Sequence, residues 1–169
     1  MHVSDELSQP CDDRDFAEWH QGCPWCAVWV VMLAAPQVEQ AVALGRQKLG
    51  DELSDELDDG SGGVLLPRYE RQPHITVAYR GLCDAGDQHG AAEYGQLQLQ
   101  QDLALLRGCG GADFAVQLKG VGSFTSVPYL AVQQGRAELL ALHQALVPVE
   151  PAPDWRYMPH VTLGHYAVQ

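Results

Sequence analysis

The sequence predicts an α+β fold of two duplicated lobes, with antiparallel sheets around a central cleft and helices on the outside. Two observations lead to this prediction. The order strand, helix, strand can be read twice along the 169 residues, and each copy ends in an apolar segment containing Pro-His-x-Thr, at 73–76 and at 159–162. Two of the three threonines therefore follow a histidine by two positions. A repeat of this kind is typical of internal duplication.

The first copy begins at 26–35, an uncharged apolar run that predicts a buried strand. Pro36 favours a helix start, and apolar residues at helical spacing continue that helix to position 49. The acidic run 51–59 is expected to prolong the helix briefly before a glycine-rich break. A strand at 72–79 and a loop at 81–90 complete this copy.

The second copy follows a helix whose end is marked by glycines. In order, the predicted elements are this helix at 94–107, a strand at 113–121, a turn at 122–124, a strand at 129–133, a helix at 135–146, a proline-rich connector at 148–153 and a last strand at 158–166.

Each motif places chemistry on one face of its strand. Residues two apart on a strand project to the same side, so an imidazole and a hydroxyl stand side by side while the alternate apolar residues point into the core. Histidine exchanges protons near neutral pH. One imidazole can act as base and the other as acid at a phosphodiester, while hydroxyls bind the charged oxygens. The predicted catalytic residues are His74, Thr76, His160 and Thr162.

The segments 74–77 and 160–163 resemble the signature of the 2H phosphoesterase superfamily, which carries His-Φ-Thr/Ser-Φ once in each half of a duplicated fold. The resemblance runs from about residue 26 to the C-terminus, and the 122–124 turn and the following strand are also similar to this group. It implies metal-independent hydrolysis of a 2′,3′-cyclic phosphate at the end of a nucleotide or RNA, usually leaving a 2′-phosphate, without a cofactor. By analogy His74 is the general acid, His160 the base, and both threonines hold phosphoryl oxygens; the reverse assignment of acid and base stays open.

Further residues near the motifs are predicted to bind substrate. Three arginines, at 68, 71 and 80, flank the first motif, and another precedes the second; two aromatic residues are placed to stack on a base, and a tyrosine lies just past the second motif. The predicted substrate-binding set is Arg71, Tyr79, Phe124, Arg156 and Tyr166. Four histidines outside the motifs, His2, His20, His89 and His143, are predicted to lie at the surface.

The composition limits the partners and the location. A formal net charge of −12 argues against a grip on duplex DNA or large RNA and favours a nucleotide or short RNA with a cyclic phosphate. No apolar run approaches the ~20 residues of a membrane span, and the acidic N-terminus lacks the basic start of a signal peptide. We expect a cytoplasmic monomer with free thiols, consisting of an acidic extension at 1–22 and one domain at 23–169.

Other interpretations remain open. The chain could be a non-catalytic module that binds nucleotides or RNA ends, or a 2H enzyme acting on ADP-ribose cyclic phosphate or on 2′,5′-linked oligonucleotides. A redox or zinc protein is a third class, because Cys23 and Cys26 have Cys-x-x-Cys spacing and His20 with Cys11 would complete a zinc site. A thioredoxin-like pair would follow a strand, whereas this pair precedes one.

Overall fold

The structure, a computed structural model, describes residues 18–54, 65–66, 72–83 and 93–167. Its named elements are β1 Trp25–Met32, α1 Pro36–Ser54, β2 His74–Cys83, α2 Gln96–Gly108, β3 Gln117–Ser123, β4 Pro128–Gln134, α3 Arg136–Leu146 and β5 His160–Thr162. The strands form one antiparallel sheet in the order β1-β2-β5-β4-β3. The predicted α+β class is confirmed.

The sheet brings the two motif strands together at its centre. β1 pairs with β2, β4 pairs with β5, and β2 and β5 are neighbours. The described strands form a single sheet rather than two separate ones. A duplication into two lobes therefore stays a prediction.

The apolar residues of both motifs form the centre of the core, as the strand period predicts. Ile75 and Leu163 are fully buried, and helices α1 and α3 pack against the same cluster. Gly45 lets α1 approach the Leu163 side chain closely, since a Cβ at this position would lie 3.0 Å from it. The core side chains from β2, β5 with the residue after it, α1 and α3 are Ile75, Val77, Ala78, Val161, Leu163, Val42, Leu49, Leu139 and Leu146.

A β-bulge at Val77 changes the alternation of β2. Trp29 pairs with Ala78 and the next residue of β1 pairs with Thr76, so Val77 has no partner on β1. Val77 and Ala78 are consequently both buried. A bulge of this kind adds one residue and shifts the side-chain parity beyond it. As a result, Tyr79 emerges on the face that carries the motif histidine and threonine.

Several predicted boundaries were wrong. The loop expected at 81–90 begins later, because β2 continues through Gly81 to Cys83. Gly81 has φ +116°, which glycine adopts without steric cost, and it still pairs with Ala27. By contrast, the expected brief prolongation of helix α1 into the acidic run is confirmed, since α1 extends to Ser54; residues 55–59 lie outside the described residues.

The strands of the second half also differ from prediction. β5 covers only three residues. Pro159 before it has no N–H to donate, and after Thr162 the pairing with β4 ends at Pro128, whose carbonyl accepts from Leu163 N–H but which has no N–H to donate in return. β3 begins and ends later than expected, and the turn lies at 124–127, where Phe124 N–H donates to the Val127 carbonyl.

Arg80 has a structural role rather than the expected place beside the first motif. Its guanidinium donates to both carboxylate oxygens of Asp102 at 2.9 Å and to the Leu146 carbonyl at 2.9 Å. Trp29 Nε1 and the Tyr94 hydroxyl donate to the same carboxylate. This network ties β1 and β2 to α2 and to the end of α3.

Within the described ranges, no helix has both the length and the apolar character required to cross a bilayer.

Candidate active site

The register of β2 and β5 assembles the four motif side chains on one face. Ile75 pairs with Val161 in antiparallel register. His74 therefore stands opposite Thr162, and Thr76 stands opposite His160. The four side chains are half-buried, on the face opposite the core. The two histidines occupy a diagonal, for which the expected separation of the backbones is about 7–8 Å.

Both histidine rings are held in the same way. His74 Nδ1 lies 3.0 Å from the Gln72 carbonyl, and His160 Nδ1 lies 2.8 Å from the Met158 carbonyl. A carbonyl only accepts, so each Nδ1 carries the hydrogen and Nε2 carries the lone pair of the neutral ring. A proline intervenes in both copies, and it restricts its own φ and the conformation of the residue whose carbonyl accepts. The prolines that mark both motifs thus help to fix the tautomer.

Aromatic rings enclose His160. The Phe124 ring centroid lies 5.0 Å from that of His160, and Tyr129 lies at 5.3 Å. Tyr129 can lie there because Gly122 faces it, where a Cβ would approach the ring to 2.6 Å. Burial lowers the pKa of His160; the hydrogen bond to the Met158 carbonyl opposes this shift, and the positive charge of His74 adds to it. His160 is therefore biased toward its neutral form.

A cavity of about 560 Å³ opens beside these residues. Thr76 and His160 belong to its lining, as do the predicted substrate-binding residues Tyr79, Phe124 and Arg156. His74 and Thr162 are on the same sheet face but not in this lining. Tyr166 is also elsewhere: it is buried, and its hydroxyl lies 3.0 Å from Ser123 Oγ. Arg71 lies outside the described residues.

A family model described as "2'-5' RNA ligase superfamily" matches residues 66–169, which is more than half of the chain and includes both motifs. The chain belongs to the 2'-5' RNA ligase superfamily. The resemblance to the 2H phosphoesterases is thereby confirmed at the level of the superfamily. Comparisons with curated proteins and with solved structures give no significant match.

Sequence reasoning missed the role of His143 in this member of the 2'-5' RNA ligase superfamily. His143 was predicted at the surface, but it is 3% exposed. Its Nδ1 lies 2.6 Å from the Val77 carbonyl, and its Nε2 lies 3.3 Å from the Glu150 carboxylate. It thereby satisfies the carbonyl of the bulged residue. No local pattern indicates this, since Val77 is 66 positions away.

Tyr157 was missed as well, and it connects His143 to the first motif. Its ring stacks on His143 at 4.1 Å with an interplanar angle of 2°. Its hydroxyl donates to the Thr76 carbonyl at 2.9 Å. Burial raises the pKa of Tyr157 to about 12, so the phenol remains a donor at neutral pH. Together, His143 and Tyr157 bond to the consecutive carbonyls of Val77 and Thr76 in β2, beside the cavity.

Other residues that line the cavity come from the connector between α3 and β5. Trp155 contributes an indole whose centroid is 5.6 Å from that of His143. The neighbouring apolar lining residues are Val147, Val149, Pro151 and Met158. The sequence identified this stretch only as proline-rich, because a connector without periodicity gives no indication of the face it presents.

The cysteine pair has the placement that the sequence predicts relative to its strand. Cys26 lies in β1 and Cys23 just before it, and Cys23, Cys26, Cys83 and Cys109 are free thiols. In the described part of this superfamily member, no three His, Cys, Asp or Glu side chains are grouped so that they could hold a metal ion. Cys11, invoked for a zinc site, lies outside that part.

Proposed function

We propose that this protein is a metal-independent phosphodiesterase that opens 2′,3′-cyclic phosphate ends of nucleotides or short RNA. One observation carries the proposal: two histidines lie diagonally across adjacent antiparallel strands, each with Nδ1 bonded to a carbonyl two residues earlier. Each ring therefore has Nε2 left for proton transfer. A threonine hydroxyl stands opposite each histidine and is a donor for phosphoryl oxygens.

The proposed reaction uses the two histidines in opposite protonation states. Neutral His160 takes a proton from water as the oxygen attacks phosphorus, and the P–O3′ bond breaks. Protonated His74 gives its proton to O3′, which leaves a free 3′-hydroxyl and a 2′-phosphate. Thr76 and Thr162 donate to the non-bridging oxygens. Exchange of one proton with solvent at each histidine restores the starting state.

The direction of the His160 shift supports this assignment of roles. Its lowered pKa favours the neutral ring that a base requires. A protonated His74 nearby disfavours a second charge on His160, and this coupling keeps the pair in the productive combination of one acid and one base.

The charge of the site supports a small substrate. Arg156 is the one Lys or Arg in the cavity lining among the described residues, and the chain carries a formal charge of −12. Long RNA would require several phosphate contacts from basic side chains. We therefore propose a nucleotide or short RNA as substrate. We also propose that the protein is a cytoplasmic monomer whose two halves are duplicated lobes.

The direct experiment is incubation of the purified protein with 2′,3′-cyclic nucleotides in the presence of EDTA. We expect turnover to a 2′-phosphate, identified by ³¹P NMR, at an undiminished rate. ADP-ribose cyclic phosphate and 2′,5′-linked oligoadenylate belong in the same panel, since either could be preferred. Binding without turnover of any of them would indicate a non-catalytic module, and loss of activity in EDTA would contradict the mechanism.

The pH dependence of kcat/KM should be bell-shaped. On the acidic side activity is lost when His160 is protonated, and because its pKa is lowered this loss should begin below the usual titration range of histidine. On the alkaline side activity is lost when the acid loses its proton. Initial rates across pH 4.5 to 9.5 at fixed ionic strength test this, and a profile that stays flat on the acidic side would contradict the role of His160.

A further inference from the structure

The cavity is much larger than the reacting phosphate requires. Its volume of about 560 Å³ falls in the range of pockets that hold entire small molecules, about 300–1,000 Å³. His160 and Thr76 belong to its lining, and the Phe124 ring centroid lies 5.0 Å from that of His160. His143 and Trp155 lie in contact with one another and line the same cavity. A ligand with its ester at His160 therefore extends over a mainly apolar and aromatic surface.

Of the three contacting rings His143, Tyr157 and Trp155, Trp155 is the one presented to a ligand. His143 is buried and stacked on Tyr157, whereas the Trp155 side chain is 40% exposed and lines the cavity. An exposed indole in a ligand cavity supplies a large flat surface for another ring. Any of the nucleobases can stack on such a surface, because each has a flat aromatic face.

The polar atoms of the two rings next to Trp155 are already bonded within the protein. Both nitrogens of His143 are engaged by the Val77 carbonyl and by Glu150, and the Tyr157 hydroxyl donates to Thr76. Arg156 Nη1 donates to two backbone carbonyls, at 2.7 and 2.6 Å. Because both ring nitrogens of His143 and the Tyr157 hydroxyl are committed in this way, these two side chains do not read the hydrogen-bonding edge of a base.

We propose that Trp155 stacks on the nucleobase of the substrate, and that this site selects for an aromatic base by ring surface rather than by base identity. The inference rests on the proposed function in placing the ester at the His160 end. Adenine and guanine derivatives should be used about equally well, and the larger purine surface should favour both over uracil and cytosine derivatives.

Binding measurements test the stacking independently of turnover. Adenosine 2′-monophosphate and ribose 2-phosphate, which carry the same phosphate with and without a base, are titrated calorimetrically into the parent protein and its variants. We expect the parent to prefer the nucleotide. Trp155→Ala should weaken nucleotide binding by about 10-fold or more, which is the range for loss of one base stack, and Trp155→Phe should recover part of it.

Trp25→Ala is the matched control, because Trp25 is an exposed tryptophan on β1 outside the cavity lining. It should bind the nucleotide like the parent, and thermal unfolding checks that each variant is folded. The proposal is overturned if the folded Trp155→Ala variant binds adenosine 2′-monophosphate as the parent does, if ribose 2-phosphate binds equally tightly, or if the parent does not bind the nucleotide. Base-dependent binding without hydrolysis would reject the proposed reaction and retain the stacking site.

Discussion

Replacement of His160 by alanine is expected to lower kcat for a 2′,3′-cyclic nucleotide by about 10²- to 10⁴-fold, the usual contribution of a positioned general base. The ring lines the cavity and its Nδ1 is held by the Met158 carbonyl, so Nε2 is the atom that accepts the proton in the proposed mechanism. His74→Ala should have an effect of the same order. Steady-state rates with saturating substrate measure both.

The two histidine losses should not be additive. If both residues act on one phosphorus, the double variant retains about the activity of the weaker single variant, because a missing base already disables the step in which the acid takes part. Independent multiplication of the two losses would indicate that the residues do not act together.

His20→Ala is the matched control for these variants. His20 has the same type of contact, from Nδ1 to the Cys23 carbonyl at 3.2 Å, but it is not one of the four motif residues and does not line the cavity. Its activity should match that of the parent. Parent-like rates in both His74→Ala and His160→Ala would place the reaction elsewhere in the molecule.

The shared face of the four motif side chains could be predicted because it depends on short-range regularity. A strand alternates its faces, so His-x-Thr between apolar residues fixes which side chains share a side. The two motif strands, β2 and β5, are neighbours in the sheet, which brings the two faces together. The histidine–carbonyl contact also has a sequence signal, since both copies share the preceding proline.

The rest of the cavity could not be predicted because it depends on irregular backbone and long-range contacts. Strict alternation would place Tyr79 on the core face, and the bulge at Val77 reverses this. The bulge is in turn accommodated by His143, whose partner lies 66 positions away. Local sequence patterns contain no information about such a pairing.

Arg80 shows the same limit for charged residues. It is one of the arginines that flank the first motif in sequence, but its partner Asp102 comes from a helix 22 positions later. An arginine on a strand close to a proposed site can contact either the substrate or another residue of the protein, and the sequence alone does not distinguish the two.

Asp102→Ala should destabilise the protein more than any surface substitution. Asp102 is 1% exposed and accepts four hydrogen bonds, one from Trp29, one from Tyr94 and two from Arg80. Removal of one partner of a buried ion pair costs about 3–5 kcal/mol. Because a quarter of the Arg80 side chain is exposed to water, we expect about 3 kcal/mol. Urea unfolding at pH 7 measures the loss, and Asp113→Ala, at an exposed aspartate, is the control.

The pH dependence and a second substitution separate this ion pair from simple loss of packing. Burial raises the pKa of Asp102, but the hydrogen bonds from Arg80, Trp29 and Tyr94 and the Arg80 charge outweigh it, so the pKa is lowered from 3.8. The carboxylate therefore stabilises the fold fully above that value and less as the pH falls through the lowered pKa. The difference in stability between parent and Asp102→Ala should shrink on acidification below about pH 4.

Arg80→Met in the Asp102→Ala background should recover part of the loss, because it removes the unpaired charge. A deficit that is independent of pH, with no recovery in the double variant, would indicate that Asp102 acts only by filling space.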